Sequence, residues 1–263
     1  MESFCHPLVP KTQPEHTRHT KILIIILDLV NAMDNVSIDI VDFHSHILPG
    51  ADHGSSSVET SLSQLNLAHN NGVTRIIATP HFYPHRHTLE QFLKRRENAW
   101  EQLSSSISED LPTVKLGAEV LLCQGLENFK GIENLTLNGT NYMLLELPFS
   151  DFRNEYCDTV ASLLKSGFDI ILAHVDRYPK ENIERLIDVG VSKLQLNAES
   201  LAGFFKPKHL LSWASDNMVV ALGSDIHGAD EKAYKRFIKA KKALADSLSY
   251  VEDASNNIWN LVN

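Results

Sequence analysis

The chain has 263 residues, of which 43% are hydrophobic and 22% are charged, and its formal net charge is -9. This composition is ordinary for a globular protein with one sizeable core, and a chain of this length can form a single large α/β domain. The acidic balance, without a clustered basic face, argues against a nucleic-acid partner. Cys5, Cys123 and Cys157 are widely spaced and odd in number, which argues against a disulfide framework and favours a cytoplasmic location.

The first 36 residues predict an extension outside the fold, and residues 37–263 predict a single domain. Within the extension, KILIIILDLV at 21–30 is apolar but too short to span a bilayer. No clean cleavage pattern of the kind that ends a signal peptide follows it. We therefore expect no stable membrane insertion.

From residue 38 onward, strand-like and helix-like stretches alternate. Seven apolar runs read as strands, at 37–43, 74–80, 113–122, 142–148, 169–175, 193–198 and 218–225. Between most of them lie amphipathic stretches such as 57–72, 88–103 and 232–248. Ser57 and Thr88 are suitable residues to start the first two helices, and Gly72 is suitable to end the first. Buried strands that alternate with helices predict a parallel sheet, and seven of them around one core predict a barrel or a distorted relative of one.

Most of these strands end in a histidine or an acid that a plain core strand would not need. The strand-end residues are His44, His46, His81, Glu119, Glu146, His174, Asp225 and His227. Because the carboxyl ends of all strands in a parallel barrel converge on one face, we expect these side chains to meet in one pocket. A single His-x-His or glutamate at a strand end is often incidental or structural. Many such groups crowded together, however, would be costly without cations, so the pattern favours metal binding.

The predicted ligands combine imidazole with carboxylate and include no cysteine, a set that suits manganese, iron or zinc. They are too many for one ion, so we expect two or three divalent transition metals. Clustered ions of this kind generate hydroxide from water and neutralise an anionic substrate. The sequence therefore favours hydrolysis of a phosphoester.

Six motifs occur in the order DFHSHILPG, ATPHF, GAEV, LLELPF, AHVDRY and GSDIHG. With them the chain resembles the PHP (polymerase and histidinol phosphatase) superfamily, and more closely the bacterial PHP-type protein-tyrosine phosphatases of capsule and exopolysaccharide clusters. The resemblance extends from residue 38 to the C-terminus. It implies a distorted (β/α)7 barrel with a metal cluster that is usually manganese-dependent. It also implies dephosphorylation of phosphotyrosine on a partner tyrosine kinase that controls polysaccharide assembly.

The resemblance maps the metal ligands of the family onto the eight strand-end residues named above. One further position departs from the family pattern, because Asp52-His53-Gly54 stands where the family has Asp-Asp-Gly. His53 would then replace a carboxylate ligand. Imidazole can still coordinate a metal, but it brings no negative charge and binds hard ions such as Mn²⁺ less readily.

Two arginines are candidates for binding the substrate phosphate. Arg177 matches an arginine that the family places near the phosphate, and Arg86 lies in a loop, HFYPHRH, that follows a strand end. The planar guanidinium group can bind phosphate through two hydrogen bonds. For Arg177, a structural salt bridge is the alternative role.

None of the three cysteines is followed by an arginine at the Cys-x5-Arg spacing of thiol-based tyrosine phosphatases. The predicted nucleophile is therefore hydroxide generated at the metals, with His227 or His46 assisting the leaving group through a water molecule. Two alternatives stay open at this point. One is a PHP phosphoesterase that acts on a small phosphate monoester such as histidinol phosphate, and the other is a non-catalytic metal-binding docking module.

Overall fold

A computed structural model describes residues 41–149 and 152–263 of the chain. The predicted extension over residues 1–36, including the apolar segment at 21–30, lies outside the described residues, so the domain boundary stays a prediction. The strands are β1 (Asp42–Ser45), β2 (Arg75–Ala78), β3 (His81–Phe82), β4 (Thr113–Leu116), β5 (Glu119–Leu121), β6 (Tyr142–Glu146), β7 (Asp169–Leu172), β8 (Lys193–Asn197) and β9 (Val219–Gly223).

The described part of the chain also contains eight α-helices. They are α1 (Val58–Asn70), α2 (Leu89–Ser104), α3 (Asn154–Lys165), α4 (Lys180–Val189), α5 (Ala198–Ala202), α6 (Lys208–Ser215), α7 (Ala233–Leu244) and α8 (Leu248–Leu261). Short 3₁₀ helices cover Leu126–Asn128, Ile132–Leu135, Val175–Arg177 and Ala245–Ser247. None of the helices formed by the described residues is long and apolar enough to cross a membrane.

The strands pair in parallel throughout, in the order β3-β5-β6-β7-β8-β9-β1-β2-β4. The strand predicted over 113–122 is divided into β4 and β5, and the strand predicted over 74–80 forms β2 and resumes just beyond it as β3, so that β2 and β3 continue one another, as do β4 and β5. If β2 and β3 are counted as one strand, and β4 and β5 as another, the sheet has seven strands. Hydrogen-bonded pairs connect these seven strands in a closed ring that begins and ends at β1. The predicted fold class, a distorted parallel α/β barrel of seven strands, is confirmed.

Pro80 explains the division of the second strand, because a proline has no backbone N–H to donate to a neighbouring strand. The pairing nevertheless continues across the breaks. Gly117 donates its backbone N–H to the carbonyl of Ala78 at 2.8 Å, and Glu119 donates to the carbonyl of Pro80 at 3.1 Å. As a result His81 and Glu119 restart their strands side by side, in register with each other.

The predicted helix starts are confirmed. The Ser57 side chain accepts a hydrogen bond from the backbone N–H of Thr60. Thr88 and Gln91 form a reciprocal capping box at the start of α2. Gly72 follows the end of α1 with a φ of 78°, a left-handed conformation that glycine adopts without steric cost.

The prediction of one continuous helix over residues 232–248 was wrong. Ala245 has a φ of 46°, which ends α7 and begins a 3₁₀ turn that leads into α8. The change of direction lets Ile258, Trp259 and Val262 pack on a small apolar cluster that includes Leu144. Leu144 and Glu146 share one face of β6 because they are two residues apart on a strand. The cluster therefore lies on the same side of the sheet as the strand-end acids.

Candidate metal centre

The structure brings all eight predicted strand-end ligands together. Four groups of three residues each offer ligand atoms that lie within 4.8 Å of one another. These groups are His46, His81 and His227; His44, Glu119 and His174; His44, His46 and Asp225; and His81, Glu119 and Glu146. Because the groups share members, they form one continuous cluster of histidines and carboxylates at the carboxyl ends of the strands.

Glu119 lies at the centre of this cluster and is completely buried. Its Oε2 atom is 3.1 Å from Nε2 of His44 and 2.7 Å from Nδ1 of His81. Its Oε1 atom is 2.7 Å from Nε2 of His174. One carboxylate thus contacts histidines from three strand ends, so it can join neighbouring ions in a multinuclear site.

Two of the candidate ligands have a strained backbone. His174 has a φ of 30° and Asp225 has a φ of 49°, both in the left-handed region that non-glycine residues seldom adopt. Such conformations cost about 1–3 kcal/mol each and concentrate at functional sites. In both cases the residue follows a strand end and contributes a side chain to the cluster.

Asp52 positions the ring of His46. Its Oδ2 atom is 2.7 Å from Nδ1 of His46 and also accepts from the backbone N–H of His81 at 2.9 Å. Its Oδ1 atom accepts from the backbone N–H of Gly54 at 2.8 Å. Because Nδ1 of His46 is engaged by Asp52, its Nε2 atom is the one left for the cluster.

His53, next to Asp52, is exposed and belongs to none of the four groups found among the described residues. Its ring centroid is nevertheless 4.9 Å from that of His81 and 4.5 Å from that of His227. It therefore lies at the edge of the cluster. Its predicted role as a ligand stays a prediction.

Gln195 and Asn197 on β8 are part of the site, although the sequence patterns did not single them out. Gln195 Oε1 is 3.1 Å from Nδ1 of His44 and accepts from the backbone N–H of His174 at 2.7 Å. Asn197 donates to Oδ2 of Asp225 at 3.0 Å. The alternation in KLQLN, which places polar side chains at every second position of a buried strand, was the signal that could have revealed them.

Several polar atoms of the cluster make no hydrogen bond although they are buried. They are Oε2 of Glu146, Nδ1 of His174 and Nε2 of His227. Buried polar groups in proteins nearly always have a hydrogen-bond partner, so a concentration of exceptions in one place requires an explanation. Their imidazole nitrogens and carboxylate oxygens are suitable donors for divalent transition metals, and the residues present therefore fit a metal cluster.

The pKa values of the cluster residues are shifted because buried ionisable groups lie close together. Burial first, and then the carboxylate of Glu119, raise the pKa of the Glu146 carboxyl to about 8. Burial first, and then the charge of His46, lower the pKa of the His227 imidazole to about 4. Two carboxylates so close together cannot both be ionised cheaply unless cations lie between them.

The two candidate phosphate-binding arginines have different surroundings. Arg177 is 41% exposed, and its Nη2 atom is 2.5 Å from Oδ2 of Asp225. Arg86 is exposed, and its guanidinium lies 5.1 Å from the centre of the Tyr83 ring. Arg86 lines a cavity of about 280 Å³ together with His53 and His81. Both arginines thus lie beside cluster residues.

Comparison with known proteins places these observations in a family. A family model described as capsular polysaccharide synthesis, CpsB/CapC, matches residues 40–257. The tyrosine-protein phosphatase CpsB of Streptococcus pneumoniae is 28% identical over 213 residues, which cover 73% of this chain and 84% of the relative. The tyrosine-protein phosphatase YwqE of Bacillus subtilis is 29% identical over 205 residues, which cover 74% of this chain and 80% of the relative.

The fold has a solved counterpart. A chain from the crystal structures of YwqE from Bacillus subtilis and CpsB from Streptococcus pneumoniae, described as unique metal-dependent tyrosine phosphatases, superposes with a TM-score of 0.67 and 22% sequence identity. The superposition covers 85% of this chain and 94% of that chain. This likeness supports the same distorted barrel for the described residues.

Proposed function

The chain belongs to the CpsB/CapC family of capsular polysaccharide synthesis proteins, and on this premise we propose that it is a metal-dependent phosphatase that hydrolyses phosphotyrosine on a protein. The observation that carries the proposal is the single cluster of eight histidines and carboxylates at the carboxyl ends of the strands. The relatives named as tyrosine-protein phosphatases support the choice of substrate.

We propose that the cluster holds two or three divalent metals, with manganese as the first choice and iron or zinc as alternatives. The donor set of imidazoles and carboxylates supports these metals over a sulfur-rich zinc site. The ligands would be the eight strand-end residues, with His53 as a ninth. Bound metals would supply an activated water for attack on phosphorus and would neutralise the charge of the phosphate.

The side chains around the cluster have distinct tasks in this proposal. Arg177 and Arg86 bind the phosphate oxygens and stabilise the charge that develops during transfer. Asp52 and Gln195 hold His46 and His44 in fixed orientations.

Little help is needed for the leaving group, because the phenol side chain of tyrosine leaves readily as phenolate. We assign any proton transfer through water to His46 or His227. Of these two, His46 is the favoured proton donor, because the low pKa of His227 keeps that imidazole neutral near pH 7.

Neither of the two cysteines that the structure describes supports a thiol mechanism. Partial burial raises the pKa of both the Cys123 and the Cys157 thiols above the ordinary value. A nucleophilic cysteine requires the opposite shift, because the reactive species is the thiolate. Neither residue belongs to the candidate groups of the cluster.

We further propose that the phosphoprotein is a bacterial tyrosine kinase that regulates capsular or exopolysaccharide synthesis in the cytoplasm. The description of the family as capsular polysaccharide synthesis proteins supports this partner. A small phosphate monoester such as histidinol phosphate is the competing substrate. A comparison of kcat/KM for a phosphotyrosine peptide and for histidinol phosphate distinguishes the two, and we expect the peptide to be preferred.

The central test uses p-nitrophenyl phosphate. Turnover should depend on added Mn²⁺, stop when a chelator is added and survive alkylation of the thiols. His46→Ala and Asp225→Ala should each remove most of the activity, because each removes a proposed metal ligand. Elemental analysis of the Mn-loaded protein should give two or three ions per chain. Fewer than one ion, or activity that resists chelation and is lost on alkylation, would refute the metal-dependent mechanism.

A further inference from the structure

A group of basic side chains lies beside the metal cluster but outside it, on α2 and on the loop that precedes α2. Arg95 is half-buried on α2, and Nη1 of its guanidinium is 3.3 Å from Nε2 of His87. Its Nε atom is buried and makes no hydrogen bond. Among the described residues, no carboxylate forms an ion pair with Arg95 or with Arg86. Within that part of the chain, two arginine charges therefore remain without a counter-ion.

His87 holds Arg95 in place. Partial desolvation first, and then the charges of Arg95 and Arg86, lower the pKa of the His87 imidazole. A neutral imidazole can accept the hydrogen bond from the Arg95 guanidinium through Nε2. Nη2 of Arg95 is then left to bind another group, and the positive charges of Arg95 and Arg86 around His87 favour an anion.

Arg95 also connects two cavities. The smaller cavity, of about 280 Å³, is lined by His81 of the metal cluster and by Arg86, His87 and Arg95. The larger cavity, of about 690 Å³, lies between the start of α1 and the exposed side of α2, and its lining includes Lys94 and Arg95. Arg95 and Gly50 line both cavities. The smaller cavity thus adjoins the metal cluster, the larger one is a groove between α1 and α2, and Arg95 borders both.

The charge in both cavities is mostly positive. In the smaller cavity the one acidic residue among those described is Asp52, whose carboxylate is already occupied by His46 and two backbone N–H groups. In the larger cavity the acidic residue is Glu59, which shares the lining with Lys94 and Arg95. This local excess of basic groups contrasts with the net charge of -9 for the whole chain.

We infer that Arg95 and Lys94 form an anion-binding subsite that holds an acidic side chain of the substrate protein next to the phosphotyrosine, with the groove between α1 and α2 taking the peptide chain beyond it. The inference rests on the proposed phosphatase function and specifies its substrate as a phosphotyrosine in an acidic segment. Two residues of extended chain reach about 7 Å. The cavity of about 280 Å³, which both His81 and Arg95 line, has a width of the same order.

The test compares two phosphotyrosine peptides of equal length, one with glutamates and the other with glutamines on both sides of the phosphotyrosine. For the Mn-loaded enzyme we expect kcat/KM to favour the glutamate peptide by about two- to fivefold for each carboxylate that is bound, as for an exposed ion pair. The preference should shrink as salt is added, because salt screens such pairs.

Arg95→Gln and Lys94→Gln should each reduce the preference for the acidic peptide and leave turnover of p-nitrophenyl phosphate unchanged. Lys239→Gln on α7 is the matched control, because it removes the same charge from an exposed position elsewhere and should keep the preference. Arg95→Lys retains the charge and should keep part of the preference for the acidic peptide. If Arg95→Gln does not fold, the exposed Lys94 variant decides the result.

A binding measurement separates this inference from the proposed function. Fluorescence anisotropy with the same two peptides, carrying a phosphonate in place of the phosphate, reports affinity without turnover. Equal affinities and equal kcat/KM values for the two peptides, in an enzyme that hydrolyses p-nitrophenyl phosphate, would overturn the subsite. If p-nitrophenyl phosphate is not hydrolysed, the proposed function fails, and the anisotropy comparison still decides the subsite.

Discussion

Oδ2 of Asp52 lies 2.7 Å from Nδ1 of His46, and Nε2 of the same imidazole lies 3.2 Å from Oδ1 of Asp225 and 3.3 Å from Oε2 of Glu119. One carboxylate from the loop after β1 therefore fixes the ring that faces the centre of the cluster. In metal sites, a carboxylate that accepts from the second ring nitrogen sets the tautomer and the orientation of the ligand.

Asp52→Asn should weaken metal binding while the protein stays folded. Loss of such an orienting carboxylate typically costs about 10–100-fold in metal affinity or activity. Titration with Mn²⁺ followed by calorimetry measures the affinity, and circular dichroism checks the fold. An unchanged Mn²⁺ affinity would show that Asp52 does not control the orientation of His46.

His53→Asp should tighten the binding of Mn²⁺, because it adds a carboxylate at the edge of the cluster beside His81 and His227. Hard divalent ions prefer carboxylate oxygen to imidazole nitrogen. The measurement is the same titration, with His69→Asp on the outer part of α1 as the control for added charge. If both variants bind Mn²⁺ like the native protein, His53 is a bystander at the edge of the site.

Gly54→Ala should disturb the site through simple crowding. A Cβ atom added at Gly54 would lie 2.1 Å from Cβ of His46 and 2.6 Å from its carbonyl oxygen. Overpacking of this kind costs about 1–3 kcal/mol of stability. Urea denaturation measures the free energy of unfolding. Gly203→Ala is the control, since its nearest contact would be 3.4 Å, and equal losses for both variants would contradict the explanation.

Arg177→Gln should lower kcat/KM for p-nitrophenyl phosphate by about 100-fold or more, the usual effect of removing one donor that stabilises transition-state charge. Arg177→Lys should recover only part of the loss, because lysine keeps the charge but lacks the planar fork. Since Arg177 also pairs with Asp225, the metal content of both variants must be measured. If Arg177→Gln loses its metal and retains activity per bound metal, the arginine is structural.

The metal-free protein should become less stable as the pH rises from about 4.5 to about 8. Burial first, and then Glu119, raise the pKa of Glu146 from its ordinary value of 4.5 to about 8, so the folded state binds this proton more tightly than the unfolded chain does. The stability associated with the neutral carboxyl is therefore lost as the pH passes through the folded pKa.

The measurement for this prediction is urea denaturation in the presence of a chelator across the same pH range. Glu146→Gln should show a flatter profile, because the amide does not titrate. With Mn²⁺ added, the trend should reverse, because metal ligands must be deprotonated before they coordinate. Parallel profiles for the native protein and the glutamine variant would remove Glu146 as the cause.

Much of the fold was predictable from the sequence. The alternation of apolar runs with amphipathic stretches predicted seven parallel strands and the starts of α1 and α2, because burial and helix capping act over a few neighbouring residues. The divisions at Pro80 and Gly117 and the turn at Ala245 were not predicted. They depend on how strands pair and on where α8 can pack, which are contacts between residues distant in the chain.

The residue types at the strand ends were by themselves enough to predict a metal centre, because parallel strands bring their carboxyl ends to one face. The tertiary structure decided which of these residues have ligand atoms close enough together to bind one ion and which merely lie nearby. It united eight of them, showed that Asp52 and Gln195 orient the histidines, and placed His53 at the exposed edge. It also brought Arg95 and His81 into the lining of one cavity. These relationships depend on distances of a few ångströms between separate elements, and local sequence patterns carry no record of such distances.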